Sequence, residues 1–231
     1  MTKENFTSYY NCYLNHNKDT SVVLCEQREV PLNEHYYYHV IATEIDGRDI
    51  YSVHPDLYDS FMMLKQQESI KKTLEQFQLE HPSLMLRHFY RMSLGGYKSK
   101  LNNEARVFTE EDLEYSIQTL TEKEKICHRK RQQVYIKEKN KFIVTKDNQI
   151  MAIARITDID YGGGNIAVYS NPEFRRKGYG KMVVEKCIDW CVDHNIIPIY
   201  LVDVHNIASV RLAESLGLEC YSEEYALSIE I

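Results

Sequence analysis

The stretch Val168-Tyr169-Ser170-Asn171-Pro172-Glu173-Phe174-Arg175-Arg176-Lys177-Gly178-Tyr179-Gly180-Lys181 decides how this chain is read. A β-prone segment runs into a turn at Pro172, and a basic, glycine-bearing loop then opens a helix. Backbone N–H groups at a helix start have no intrahelical acceptor, and the helix dipole favours negative charge there. Gly178 and Gly180 let the main chain approach anionic oxygens without a Cβ in the way. Arg175, Arg176, Lys177 and Lys181 surround the turn with positive charge. The segment is therefore an anion cradle. It fits neither common nucleotide fingerprint. Gly162-x-Gly164 lacks a third glycine and precedes a strand, and no glycine stands four residues before a Gly-Lys-Ser/Thr. The pattern is Arg175-x-x-Gly178-x-Gly180.

Working outward, five of the nine glycines lie between Gly162 and Gly180, so the chain is unevenly punctuated. Downstream, a helix over Gly180–His194 places Val184, Cys187, Ile188, Cys191 and Val192 on one face. Pro198 leads into an apolar strand, Ile199–Val204, which reads as buried on both sides. Asn206–Leu216 is a helix closed by Gly217. Cys220–Ser222 and Tyr225–Ile231 read as two final strands. Upstream, Ala105–Phe108 reads as a strand, and Thr109 followed by Glu110, Glu111 and Asp112 starts a helix. A charged helix over Thr121–Val134 carries His128-Arg129-Lys130-Arg131 as a solvated face. Lys141–Thr145 and Gln149–Ile156 form a hairpin around Lys146-Asp147-Asn148, and Asn165–Tyr169 is the next strand. From residue 105 the order is βααβββαβαββ, a mixed α/β (α+β) arrangement.

The first hundred residues are rich in tyrosine and carry fewer signals. His35–Thr43 and Arg48–Val53 flank Asp46-Gly47, a hairpin turn. Pro55 opens a helix through Gln78 on the spacing of Phe61, Leu64, Ile70, Leu74 and Phe77. Gly95-Gly96 and the polar run Lys98–Glu104 mark the boundary, dividing the chain into 1–104 and 105–231.

With 231 residues, 43% hydrophobic and 27% charged, the composition excludes a disordered tail and a disulfide miniprotein. No apolar run approaches the ~20 residues of a membrane helix, and the N-terminus lacks a secretion signal, so the expected location is the cytoplasm. The six cysteines form no C-x-x-C pair, and Cys187 and Cys191 read as packing residues. His35 and His39 would suit a metal only on a helix, so no metal is expected. The net charge of −6 argues against nucleic acid as ligand.

On Arg175-x-x-Gly178-x-Gly180, together with Asn206-x-x-Ser209-x-x-Leu212 and Gly217-Leu218, the chain resembles the GNAT superfamily of acyl-CoA N-acyltransferases from residue 105 to its end. The segment Asn206–Leu218 looks closest to a bacterial branch that includes zwittermicin-resistance-type acetyltransferases. The resemblance implies a mixed, mostly antiparallel sheet flanked by helices, with an additional N-terminal α/β region. It also implies acetyl-CoA as co-substrate, an amine as acceptor and no metal. The backbone of Val168, Tyr169 and Ser170 would bind the pantetheine arm. The loop of Arg175, Arg176, Lys177, Gly178, Tyr179, Gly180 and Lys181 would bind the diphosphate. Asn206 and Ser209 would meet the cofactor, although Asn206 equally suits a plain helix cap. A splay between the strand before the loop and Ile199–Val204 would admit the thioester, with a strand N–H on its carbonyl.

The reaction that the resemblance implies is direct attack of a primary amine, of a small molecule or peptide, on the thioester. An alkylammonium with a pKa near ~10 must first lose a proton. Two residues depart from the family pattern. Ala213 stands where many members carry the tyrosine that protonates the thiolate, and Gly164 where some carry a glutamate. Tyr225 is the candidate substitute acid, against the alternative of an ordinary strand tyrosine; Asp160 and Tyr161 are candidate bases, and Glu223 and Glu224 could attract a cationic acceptor. The alternative is a CoA-binding sensor or interaction module with weakened catalysis. Residues 1–104 read as an accessory region that shapes the acceptor pocket, and a homodimer is compatible with the sequence.

Overall fold

The computed structural model describes residues 3–17, 20–30, 36–95, 103–147 and 149–230. The sequence reading falls outside that set at His35, at Gly96 and Lys98–Asn102 of the boundary, at Asn148 in its hairpin turn and at Ile231 of the last strand. Ten strands and seven α-helices are present among the described residues, and the strands pair mostly antiparallel. The chain folds as two compact units.

The first unit comprises Met1–Gly95, Asp160–Gly163 and Ile199–Ile231. It holds β1 (Val22–Leu24), β2 (Tyr36–Ile45), β3 (Arg48–Val53), β4 (Met85–Leu94), β9 (Ile197–Asp203) and β10 (Leu218–Glu230) in the order β1-β3-β2-β10-β4-β9. Only β1 and β3 run parallel. Asp46 (φ 51°) and Gly47 (φ 75°) make the β2–β3 turn, whose two positive φ values match strand twist.

Two helices cover one face of this sheet, α2 (Pro55–Met63) and α3 (Ile70–Glu80). Phe61, Leu74 and Phe77 pack there against Val40, Tyr51, Val53 and Leu227. The single helix expected over Pro55–Gln78 is thus two. Leu64 is extended, and the Ser69 side chain accepts the Lys72 N–H at 3.3 Å to start the second helix. The apolar spacing hides this break because both helices contact the same core. α1 (Lys3–Leu14) carries the tyrosines Tyr9, Tyr10 and Tyr13, all buried; Tyr9 and Tyr10 meet β4 and β10 through their hydroxyls, and Tyr13 through its ring, 4.2 Å from the Arg91 guanidinium. Arg91 donates to Tyr9 Oη at 2.7 Å, Ser222 donates to Tyr10 Oη at 2.8 Å, and Arg91 pairs with Glu224 through both carboxylate oxygens.

The two strands expected at the C-terminus are one strand, β10, with a register shift at Cys220/Ser222 against β4 and another at Leu227/Ser228 against β2. The acidic pair Glu223-Glu224 does not interrupt it, because Glu224 finds Arg91 inside and Glu223 finds His88 at the other face. Glu224 is therefore not available to draw in a cationic acceptor.

The second unit comprises Gly96–Ile159 and Gly164–Pro198. Its strands β5 (Arg106–Val107), β6 (Lys141–Lys146), β7 (Gln149–Asp160) and β8 (Gly163–Ser170) lie in the order β8-β7-β6-β5. Helix α4 (Glu110–Ser116) starts on a capping box in which Thr109 and Asp112 satisfy each other's backbone N–H. A second capping box, Thr121 with Glu124, starts α5 (Glu122–Glu138). No residue of α5 is buried, and Arg129 pairs with Glu114 at 2.7 Å, as a solvated face requires. The last helix of this unit, α6 (Tyr179–Asp193), buries Val184, Cys187, Ile188 and Cys191 of the stripe read from the sequence, whereas Val192, expected on the same face, is exposed because it lies one position round from Cys191. In the first unit, α7 (Ile207–Ser215) follows β9. No described helix is long and apolar enough to cross a membrane.

Candidate functional site

In the second unit, β8 leaves the sheet at Asn171, whose N–H is held by Met151 O at 3.0 Å. The Asn171 side chain accepts the Glu173 N–H at 3.2 Å and Phe174 N donates to Asn171 O at 3.0 Å, winding Pro172–Phe174 into one tight turn. Arg175 Nε donates back to Ser170 O at 3.3 Å, closing the turn against its own strand. The chain then takes two left-handed steps, Arg176 at φ 64° and Gly178 at φ 85°, before α6 begins. Such steps turn successive N–H groups to one side and make an anion-binding concavity. Arg176 adopts this region without glycine's freedom, which costs roughly 1–2 kcal/mol.

Gly178 is the N-cap of α6 and offers no side chain, so nothing local satisfies the first-turn amides. The N–H groups of Arg176, Lys177, Gly178, Tyr179 and Gly180 have no protein acceptor among the described residues, and the first helical bond is Met182 N to Gly178 O at 3.2 Å. A Cβ on Gly178 would meet nothing within 4 Å, so the space over the turn is open. Arg175, Arg176 and Lys177 are exposed around it, with Lys177 Nζ 5.1 Å from the centre of the Phe174 ring. The helix is fixed from behind by Asn103, whose amide donates to Met182 O at 2.8 Å and Glu185 Oε2 at 2.9 Å. Open amides, open volume and cationic rims fit a diphosphate.

Val168 and Ser170 are half-buried and Tyr169 is 58% exposed on β8. Gly164, at the start of that strand, is buried. A Cβ there would lie 2.9 Å from Ile156 Cγ2 and 3.0 Å from Ile196 Cγ2. No glutamate can occupy that position in this packing.

In the first unit, Asn206 caps α7, its Oδ1 accepting the Ser209 N–H at 3.2 Å, so the cap reading of Asn206 is realised. Ala213 is fully buried in α7. Asp160 ends β7 and Tyr161 opens the two-residue turn to β8, with Tyr161 at φ 52° and Gly162 at φ 83°. Both are exposed, and the phenol of Tyr161 is raised above its ordinary pKa by burial and the neighbouring Cys25. Gly163 beside them faces the Tyr9 ring. Tyr225 has different neighbours. It stacks on the His88 ring at 4.1 Å and 11°, and its pKa is raised by burial and then by Glu223, Tyr90 and Glu75. The structure therefore does not gather Tyr225 with Asp160 and Tyr161. It gathers Tyr225 with His88, which sequence reading missed because β4 went unmarked.

Residues 103–218 match the acetyltransferase (GNAT) family. Similar solved structures include a GNAT-family acetyltransferase from Colwellia psychrerythraea, at 10% identity and TM-score 0.55 over 99% of this chain and 97% of that one. A GCN5-related N-acetyltransferase from Sphaerobacter thermophilus is similar at 12% identity and TM-score 0.53, over 97% and 90%. A protein assigned to the GNAT acetyltransferases from Novosphingobium aromaticivorans aligns at 18% identity and TM-score 0.48 over 64% of this chain, which spans 66% of that one. None of the curated proteins compared matches the sequence.

Proposed function

Since the chain belongs to the GNAT acetyltransferase family, we propose that it transfers the acetyl group of acetyl-CoA to a primary amine of a small molecule or peptide. Attack is direct, in a ternary complex. The observation that carries this reading is the run of unpaired amides from Arg176 to Gly180 at the head of α6. The amides and the side chains of Arg175, Arg176, Lys177 and Lys181 hold the diphosphate. The backbone of Val168, Tyr169 and Ser170 holds the pantetheine arm, and Asn206 and Ser209 contribute from α7. Tyr225 protonates the departing thiolate. Its raised pKa keeps the proton in place through neutral pH. Residues 105–231 form the acetyltransferase region, and residues 1–104 an accessory region that shapes the acceptor pocket.

Acetyl-CoA at a hundredfold excess over its Kd stabilises a protein by about 2.7 kcal/mol. For a chain of this size that raises Tm by roughly 5–10 °C. A melting curve unchanged at millimolar acetyl-CoA removes the cofactor assignment.

A second reading, a CoA-binding sensor with weakened catalysis, is favoured by two positions. Ala213 and Gly164 are both buried and cannot supply the acid and base expected there. Release of CoA from acetyl-CoA in the presence of polyamines, aminoglycosides or amino acids separates the readings.

A further inference from the structure

With Gly164 closed to a glutamate and Asp160 and Tyr161 exposed at the end of β7 and in the turn after it, the acceptor amine needs another base. One is present on β4. His88 Nε2 and Glu223 Oε1 are 2.6 Å apart, and the imidazole lies flat on Tyr225, its antiparallel partner across the β4–β10 ladder. A carboxylate on Nε2 fixes the tautomer with the proton there and leaves Nδ1 as a lone-pair acceptor. The His88 side chain is 25% exposed, covered enough to be held and open enough to be reached. His88 and Tyr225 border a cleft of about 410 Å³ lined also by Lys71, Leu86, Arg87, Asp203 and His205.

This cleft joins the second family motif within the same unit. Val204 N donates to His88 O at 3.1 Å, and Asp203 O accepts from Asn206 N at 2.9 Å, so the chain passes from His88's partner strand into the α7 cap within three residues. Asp203 Oδ1 accepts from His205 N at 2.8 Å and stiffens that passage.

We propose that His88 is the general base for the acceptor amine, that Glu223 is its positioning residue, and that this cleft receives the amine beside Tyr225. The inference rests on the acetyl-CoA reading above. His88 Nδ1 takes one proton from the alkylammonium. The nitrogen lone pair then forms the C–N bond to the thioester carbonyl carbon as the C–S bond breaks. The second nitrogen proton replaces the one that Tyr225 gives to the thiolate. His88 returns its proton to solvent, so one proton is released per acetyl group transferred.

Two experiments test this. In the first, ¹⁵N NMR of the wild-type protein near pH 8 shows His88 as the Nε2–H tautomer, and Glu223→Gln loses that single-tautomer signature. In the second, CoA release is followed from pH 6 to 10 with spermidine, an aminoglycoside and L-lysine as acceptors. The charged and titratable groups around His88 and Tyr225 are Glu223 on β10, Arg87 and Tyr90 on β4, Asp203 at the end of β9, His205 just after it, and Lys71 and Glu75 on α3. His88→Gln lowers kcat roughly 10²–10⁴-fold at pH 7. Its rate then climbs toward that of wild type as pH approaches the amine's own pKa near ~10. An Nδ1–H tautomer in the wild type, or a His88→Gln profile that coincides with wild type, overturns the proposal. The tautomer measurement needs no variant to fold. Failure of the cofactor reading looks different: acetyl-CoA then leaves Tm unchanged in wild type and His88→Gln alike.

Discussion

The cradle reading makes a quantitative demand on Gly178. This residue sits at φ 85°, and a Cβ placed on it meets nothing within 4 Å. Substitution by alanine therefore adds no clash, and its whole cost is that of holding an L-residue in the left-handed region, roughly 1–2 kcal/mol. If the turn must keep that conformation to present its amides, the same free energy appears as a loss of CoA affinity of about 5–30-fold. Asparagine tolerates left-handed backbone better than alanine, so Gly178→Asn loses less than Gly178→Ala although its side chain is larger. Gly178→Glu adds the backbone cost to a carboxylate beside the diphosphate and abolishes binding.

Isothermal titration of the three variants with CoA at one fixed ionic strength gives the order. Thermal melts of the free proteins check that α6 remains folded. Gly178→Ala binding CoA as tightly as wild type refutes the amide cradle. Gly178→Asn losing more than Gly178→Ala refutes the claim that backbone conformation sets the loss.

The buried pair and the buried lysine give two further expectations. Arg91 and Glu224 have side chains 4% and 2% exposed, so Glu224→Gln strands a guanidinium among tyrosines and costs about 3–5 kcal/mol, or roughly 6–20 °C of Tm. The double variant Arg91→Met/Glu224→Leu is more stable than either single variant in urea, and a simple sum of the two losses would refute the pairing. Lys141 is 5% exposed, its Nζ on Gln132 Oε1 at 2.7 Å, and burial followed by repulsion from Arg155 brings its pKa down to about 8. Its folded value lies below the unfolded value near ~10.4, so between those pH values the unfolded chain binds more protons and stability rises with pH. The gain is at most about 3 kcal/mol, reduced by the contact of Nζ with the Phe108 ring at 3.6 Å. Urea midpoints from pH 7 to 10 rise for wild type relative to Lys141→Met, and parallel curves would show that the lysine is not desolvated.

What could be read from the sequence was local. The Thr109 cap, the Asp46-Gly47 turn, the α6 stripe as far as Cys191 and the glycine-bearing loop each depend on residues within a few positions of one another, and each stands where it was expected. What could not be read depends on partners far along the chain. In Met85–Leu94, Leu86, His88 and Tyr90 alternate with Arg87, Phe89 and Arg91. Neither face is simply apolar, and period-2 alternation vanishes. The strand makes sense only once Arg91 has Glu224, 133 residues away, and His88 has Glu223. The same two carboxylates made β10 look like two strands. The tyrosines of α1 likewise carry no helical stripe of aliphatic residues, because they pack through hydroxyls and rings against Arg91 and Ser222.

These long-range pairings also bear on what the N-terminal segment is for. β4 hydrogen-bonds β10 on one side and β9 on the other, so a strand from the first hundred residues lies between two strands that flank the Asn206 motif in sequence. Its inner face is committed to the Arg91–Glu224 pair and cannot change without leaving a buried charge unpaired. On its other face His88 borders the cleft, and His88 and Tyr90 meet Tyr225 and Glu223 across the ladder. On the proposal made for His88, stability and acceptor chemistry fall to opposite faces of one strand. Substitution of His88 then changes the rate without disturbing the Arg91–Glu224 pairing on the other face.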